Sequence, residues 1–277
     1  MTLYHIILLA VIQGLTEFLP VSSSGHLVLV HAFTEDSGLK GIWNEQNLVM
    51  DVAVHIGTLL AVLLYFRKDV FSMIFGLKDL ATGNLQTKGA KLGLFVVGGS
   101  IPVIIAGLIL SILEPDWLRS LYVMATATIF FGIILWWADA KGPETRSLED
   151  MKWKDVLWIG LAQILALIPG TSRSGITMTA GRFLGFSRTE SAHYSLLLAM
   201  VAISGAGALT SLDLIKSEDA LLTQDALIGI ALSFITSLAS IAVMMKFLEK
   251  CTFKVFAIYR VALGIALFGI IYSGVLA

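Results

Sequence analysis

The stretch EFLPVSSSGH, residues 17–26, decides the fold. Ahead of it runs LYHIILLAVIQGL (3–15) and behind it LVLVHAF (27–33), both as apolar as a membrane interior. Between them stand an acid, a proline, three serines, a glycine and a histidine. A proline followed by a serine-glycine turn ends one helix and starts another. The apolar run after the break, 26–33, is too short to span: at about 1.5 Å per residue it reaches ~12 Å, against a hydrocarbon core of about 30 Å. The segment therefore reads as a re-entrant hairpin, two half-helices joined by a polar loop at membrane depth. Such backbone is tolerated only where protein buries it or a wet cavity is lined.

Composition places the rest of the chain in the same setting. Of its 277 residues 57% are hydrophobic and 14% charged, against roughly 25% charged in soluble domains, and the mean hydropathy is +0.85. The class is an all-α polytopic membrane protein. A net charge of −1 argues against a nucleic-acid partner. The single cysteine, Cys251, excludes an intramolecular disulfide and a cysteine-rich metal site. No basic segment precedes the first apolar run, so no cleavable signal is expected.

Six apolar runs read as spans: 48–66, 92–113, 117–138, 189–211, 225–246 and 255–276. A second break, Pro169–Gly175, is followed by another short run, 176–186, which holds Arg182. Six spans and two hairpins fix which loops share a side, and the basic residues decide the hand. One set of loops carries Arg67, Lys68, Lys78, Lys88, Lys91, Lys141, Arg146, Lys152, Lys154, Arg182, Arg188, Lys246, Lys250 and Lys254. The opposite set carries Lys40, Arg119 and Lys216, with acids such as Glu35, Asp36, Glu114, Glu218 and Asp219. Both termini are expected outside, with the first hairpin dipping in from outside and the second from inside.

The two breaks resemble each other. LPVSSSGH (19–26) and IPGTSRSGI (168–176) each run from an apolar residue and a proline through a hydroxyl-rich turn to Ser-Gly, and each follows a glutamine, Gln13 or Gln163. Two halves of opposite orientation, 1–138 and 139–277, make an inverted-topology repeat within one membrane domain.

Each polar loop feeds the N-terminus of a half-helix, where free N–H groups and the helix dipole gather positive potential. Gly25 and Gly175 allow close backbone approach, and serine hydroxyls add uncharged donors. Two such ends near the midplane suit a multiply charged anion, phosphate foremost. Either turn alone would equally serve to cap a helix. Arg173 adds a forked donor matched to phosphate oxygens. Gln13 and Glu17, four apart, share a helix face. Glu17 ends a half-helix, where the dipole disfavours a carboxylate, so it wants a cation: Arg173 across the repeat, or a hard ion such as Mg²⁺. His26 follows Ser23 by three residues and is suited to acid–base work. Asp51 and His55, four apart, read equally as a structural couple or as groups behind the site. Arg260 is expected to snorkel or to hold the loops.

QGLTEFLPVSSSGH (13–26) together with PGTSRSG (169–175) closely resembles the undecaprenyl-diphosphate phosphatase family of bacteria, the bacitracin-resistance type. DVAVHIGTLLAVLLYFRKD (51–69) and FAIYR (256–260) extend the resemblance along the chain. The family's first motif, Glu/Gln-x-x-x-Glu, is matched by Gln13 and Glu17; its serine motif by Ser22, Ser23, Ser24, Gly25 and His26; its arginine motif by Ser172, Arg173, Ser174 and Gly175. The first motif position is Gln here, which weakens any mechanism that needs two carboxylates.

The resemblance implies hydrolysis of undecaprenyl diphosphate to the monophosphate in the bacterial cytoplasmic membrane, a Mg²⁺ or Ca²⁺ requirement, and a site open to the outer side. On this reading Ser23 is the nucleophile, with direct attack by water as the alternative. His26 takes the serine's proton or protonates the leaving oxygen. Glu17 and Gln13 hold the ion, Arg173 clamps the terminal phosphoryl group, and Ser22, Ser24, Gly25, Thr171, Ser172, Ser174 and Gly175 complete the cradle. The partners are the lipid and the membrane, and a homodimer is an admissible assembly. The rival is a lipid flippase or anion transporter, because inverted repeats with broken helices are a common transporter build.

Overall fold

The structure, a computed structural model, describes residues 2–34, 45–113, 115–216 and 220–273. Among them the regular elements are helices. The elements run α1 (Leu3–Thr16), α2 (Ser23–Thr34), α3 (Glu45–Tyr65), α4 (Arg67–Ala81), α5 (Lys88–Leu113), α6 (Leu121–Lys141), α7 (Trp153–Ile164), α8 (Arg173–Phe183), α9 (Arg188–Lys216), α10 (Ala220–Leu248) and α11 (Lys254–Ser273). An isolated bridge between Arg146 and Phe186 is the one strand-like pairing among the described residues.

Four helices have the length and apolarity to cross a bilayer: α5, α6, α10 from Gln224 onward, and α11. Val49–Tyr65 and Arg67–Ala81 qualify together as a fifth, bent by 82° at Phe66. Of the six spans expected from sequence, 48–66 qualifies only together with α4, and 189–211 does not qualify among the described residues; on its helix, α9, Ser191 and Ser195 turn into the protein and are 3% and 1% exposed. This is a multi-pass membrane protein. Of the outer-loop residues that set the expected hand, Glu35, Asp36, Lys40, Glu114, Glu218 and Asp219 lie outside the described residues.

The two breaks are present where the polar stretches sit. The helices α1, α2, α7 and α8 have 14, 12, 12 and 11 residues. They are therefore about 16–21 Å long, short of a bilayer core. The second helix of each pair begins three residues earlier than hydropathy indicates, at Ser23 and at Arg173. The polar residues that read as loop are in fact first-turn residues. Protein satisfies the exposed carbonyls at the first break: Ser237 and Ser240 of α10 donate to the carbonyls of Gly14 and Leu15 at 3.1 and 2.9 Å.

Two expectations are corrected. The stretch 67–81, read as an inner loop, is the helix α4. It has one apolar face, with Phe71, Ile74, Phe75 and Leu77 all exposed beside Arg67, Lys68 and Lys78. Such a composition suits a helix lying along an interface as well as the second arm of a bent span, and short length hid it from a span-sized hydropathy window. Arg182, counted with the loop cations, is wholly buried. Its Nε donates to Asp139 Oδ1 at 3.1 Å, and Asp139 also accepts from Arg188 and from the Phe253 backbone N–H. This acid ties the ends of α6 and α8 to the starts of α9 and α11. The main apolar core, including Phe18, Phe95, Leu135, Met178, Leu197 and Phe253, packs around these joints.

Candidate active site

The two serine turns face each other. In the first, the Ser22 and Ser24 hydroxyls pair at 3.3 Å. In the second, the Ser172 and Ser174 hydroxyls pair at 3.1 Å, and Ser172 Oγ caps α8 by accepting the Gly175 N–H at 3.1 Å. Ser174 Oγ also donates to the Leu19 carbonyl at 2.9 Å, which joins the second turn to the first. That bond ties the start of α8 to the turn that precedes α2.

Glu17 is the hub. It is 8% exposed and sits at the C-terminal end of α1. Its Oε1 accepts from Arg173 Nη2 at 3.0 Å. Its Oε2 accepts from Ser23 Oγ at 2.8 Å and from Gln13 Nε2 at 3.0 Å. His55 Nε2 stands 3.6 Å from the same oxygen. The cation that the dipole argument demanded is Arg173, brought from the other half of the chain. The second nitrogen of the Arg173 fork donates to the Ser195 carbonyl at 3.4 Å. Ser23, Arg173 and His55 are all partly open to the surface.

His26 is placed differently from its sequence expectation. Its Nδ1 donates to the Ser22 carbonyl at 2.7 Å, and its Nε2 accepts from the Tyr259 hydroxyl at 2.6 Å. Both ring nitrogens are engaged away from Ser23. The serine's proton is directed at Glu17 instead, because three residues of helix turn His26 and Ser23 to different partners. The cradle residues also divide. Ser24 is exposed, whereas Ser22, Thr171 and Ser174 are 1%, 0% and 1% exposed. The buried hydroxyls of Ser22 and Ser174 build the loops, which leaves Ser23, Ser24 and Arg173 as the cradle side chains open to the surface.

The residues expected to hold an ion fit one of modest demand. Gln13 Oε1 is buried without a partner, and it lies on the residue whose amide nitrogen bonds Glu17. Among the described residues no cluster of three or more His, Cys, Asp or Glu side chains forms a metal cage. One amide oxygen and one carboxylate suit an ion that takes most of its ligands from phosphate and water.

A carboxylate flanked by a serine hydroxyl and an arginine fork, between two helix starts, is the build of an anion-processing site. The chain matches the family described as Bacitracin resistance protein BacA over residues 6–266. It belongs to that family. It is similar to the undecaprenyl-diphosphatase of Ruegeria pomeroyi, at 44% identity over 99% of this chain and 100% of the relative. The undecaprenyl-diphosphatase of Roseobacter denitrificans is 46% identical over the same shares. Undecaprenyl-diphosphatase 1 of Pseudoalteromonas translucida is 43% identical over 96% of this chain and 98% of the relative.

In this BacA-family chain the structure adds Tyr259, which sequence reasoning left aside, and decides between the two readings of His55. Tyr259 holds His26 from 233 positions away. His55 does not pair with the Asp51 side chain: it binds the Asp51 carbonyl through Nδ1 and turns Nε2 to Glu17. The Asp51 carboxylate accepts instead from the buried His31, which also bonds His5. The one sequence signal for His55 was a histidine inside an apolar span, since intramembrane ionisable residues are functional candidates by default.

Proposed function

We propose that this chain is an undecaprenyl-diphosphate phosphatase of the bacterial cytoplasmic membrane. It releases inorganic phosphate and returns undecaprenyl phosphate as a carrier for wall polymers, the activity that underlies bacitracin resistance. One observation carries the reading: Glu17 joins Ser23 of the first half to Arg173 of the second, at 2.8 and 3.0 Å. The names of three relatives, similar along nearly their whole length, support the substrate.

Phosphoryl transfer is largely positioning and charge stabilisation. Ser23 Oγ attacks the terminal phosphorus, and the bond from that phosphorus to the bridging oxygen breaks. The lipid monophosphate leaves with the electron pair. The serine's proton passes along its hydrogen bond to Glu17 Oε2. A protonated Glu17 no longer neutralises Arg173, so the guanidinium's charge becomes available to the phosphoryl oxygens as the transition state develops. Water then attacks the phosphoserine, and its hydroxyl stays on phosphorus. The Oγ–P bond breaks, Ser23 regains its proton from Glu17, and the water's second proton leaves with the phosphate. A Mg²⁺ or Ca²⁺ held by Glu17 and Gln13 would supply further neutralisation of the diphosphate.

The topology belongs to the same proposal. Six spans and two re-entrant hairpins, in inverted repeats 1–138 and 139–277, account for four helices too short to span and for the matched serine turns. Both termini face outside, by the distribution of lysine and arginine. The decisive experiment is phosphate release from undecaprenyl diphosphate by the purified protein. Release by the wild type and none by Ser23→Ala is the expected pair. Lipid or anion translocation without release would establish the transporter rival.

A further inference from the structure

Tyr259 and Arg260 are neighbours on α11, and each grips a different hairpin. The Tyr259 hydroxyl donates to His26 Nε2 at 2.6 Å, and the two rings stack with centroids 5.7 Å apart and planes 4° from parallel. His26 lies in the first turn of α2, four residues past Ser22, whose carbonyl it also holds. Arg260 is wholly buried. Its Nη2 donates to the Gly170 and Thr171 carbonyls at 2.8 and 2.7 Å, and its Nε to the Thr128 carbonyl of α6 at 3.2 Å. Gly170 and Thr171 form the turn that delivers Arg173.

Two observations argue that this is more than packing. Among the described residues no carboxylate pairs with Arg260, and its Nη1 is buried without a partner. Nη1 lies against Gly175, where a side chain would collide with it. A buried guanidinium without a counter-ion is costly. Here the charge stands directly behind a loop whose proposed ligand is a diphosphate. Second, the two grips are on consecutive residues of one helix, with Cα atoms about 3.8 Å apart. Neither hairpin start can shift relative to the other without bending α11 or breaking a bond to it.

We propose that Tyr259 and Arg260 are positioning residues, a two-residue clasp from α11 that sets the start of α2 against the start of α8. The clasp holds Ser23 and Arg173 at the spacing the phosphoryl group requires. The inference rests on the phosphatase reading above.

The test uses the purified full chain with undecaprenyl diphosphate, comparing the wild type with Tyr259→Phe, Arg260→Lys and the double variant. Tyr259→Phe keeps the ring and removes only the hydroxyl, so its fold is preserved. Misplacing a reacting group by about an ångström lowers rate roughly ten- to hundredfold. The clasp predicts a kcat fall of about that size in Tyr259→Phe with KM within about twofold. It also predicts weaker inhibition by orthovanadate, which needs Ser23 and Arg173 together, with inhibition by inorganic phosphate little changed. The double variant should fall short of the product of the single effects, since one frame is being lost. A Tyr259→Phe protein with wild-type kcat and an unchanged vanadate-to-phosphate ratio overturns the clasp, whatever its melting temperature. An inactive wild type would instead overturn the phosphatase reading.

Discussion

Ser22 and Ser172 stand 150 positions apart and hold the same unusual backbone, with φ of +75° and +67°; they are the two non-glycine residues with positive φ among those described. Each immediately precedes a half-helix, and each pairs its hydroxyl with a serine two residues on. The residue that follows is Ser23 in one half and Arg173 in the other. One frame, used twice, presents a nucleophile candidate from one side and a charge clamp from the other, and both reach Glu17.

That conformation sets a stability test. A non-glycine residue held in such a region costs on the order of 1–3 kcal/mol, which glycine avoids. Replacing a serine cap by glycine loses only a few tenths of a kcal/mol, and by alanine about 1 kcal/mol. Ser172→Gly should therefore match or exceed the wild type in thermal unfolding in detergent, while Ser172→Ala should fall by about 1–2 kcal/mol. Equal losses in both would show that the hydroxyl, and not the backbone, dominates at this turn.

Activity should follow the Glu17 hub. Ser23→Ala is expected to abolish turnover, and Arg173→Ala to lower kcat about 10²–10³-fold, as for loss of one charge-stabilising donor. Arg173→Lys should not restore it, because an ammonium cannot span Glu17 Oε1 and the Ser195 carbonyl as the fork does. Near-normal phosphate release by Ser23→Ala would exclude the serine as nucleophile and leave direct attack by water.

The ion requirement can be read at Gln13. A chelator should stop turnover, and Mg²⁺ or Ca²⁺ should restore it. Gln13→Ala removes the unpartnered Oε1 and should raise the ion concentration for half-maximal rate about tenfold or more. Full activity in chelator would leave Glu17 with the serine's proton as its single task.

Orientation is testable at the one cysteine. Cys251, partly buried, lies between α10 and α11 beside Lys250 and Lys254. In the proposed topology it faces the cytoplasm. A membrane-impermeant thiol reagent should label it only after permeabilisation, and ready labelling in intact cells would reverse the topology.

Hydropathy and turn chemistry act over a few residues, so the chain's own sequence determined the membrane class, both breaks, four of the six expected spans and the repeat of the two serine motifs. The same local rules marked Glu17, Ser23 and Arg173 as out of place in hydrocarbon. They missed α4, whose single apolar face is too short for a span and too polar for a core helix. They also set the helix starts three residues late, because a capping serine lets polar residues enter the first turn. The sequence offered Glu17 two cations, Arg173 or a hard ion, and offered His26 no distant partner at all; the tertiary structure decided both. Glu17 lies 156 positions from Arg173, and His26 lies 233 from Tyr259. Whether the Ser23 proton points to His26 or to Glu17 turns on which way two helix starts face once α11 has gripped them both. A hydrogen bond demands direction and a separation near 3 Å, and no pattern along one strand of sequence carries the relative placement of helices that far apart.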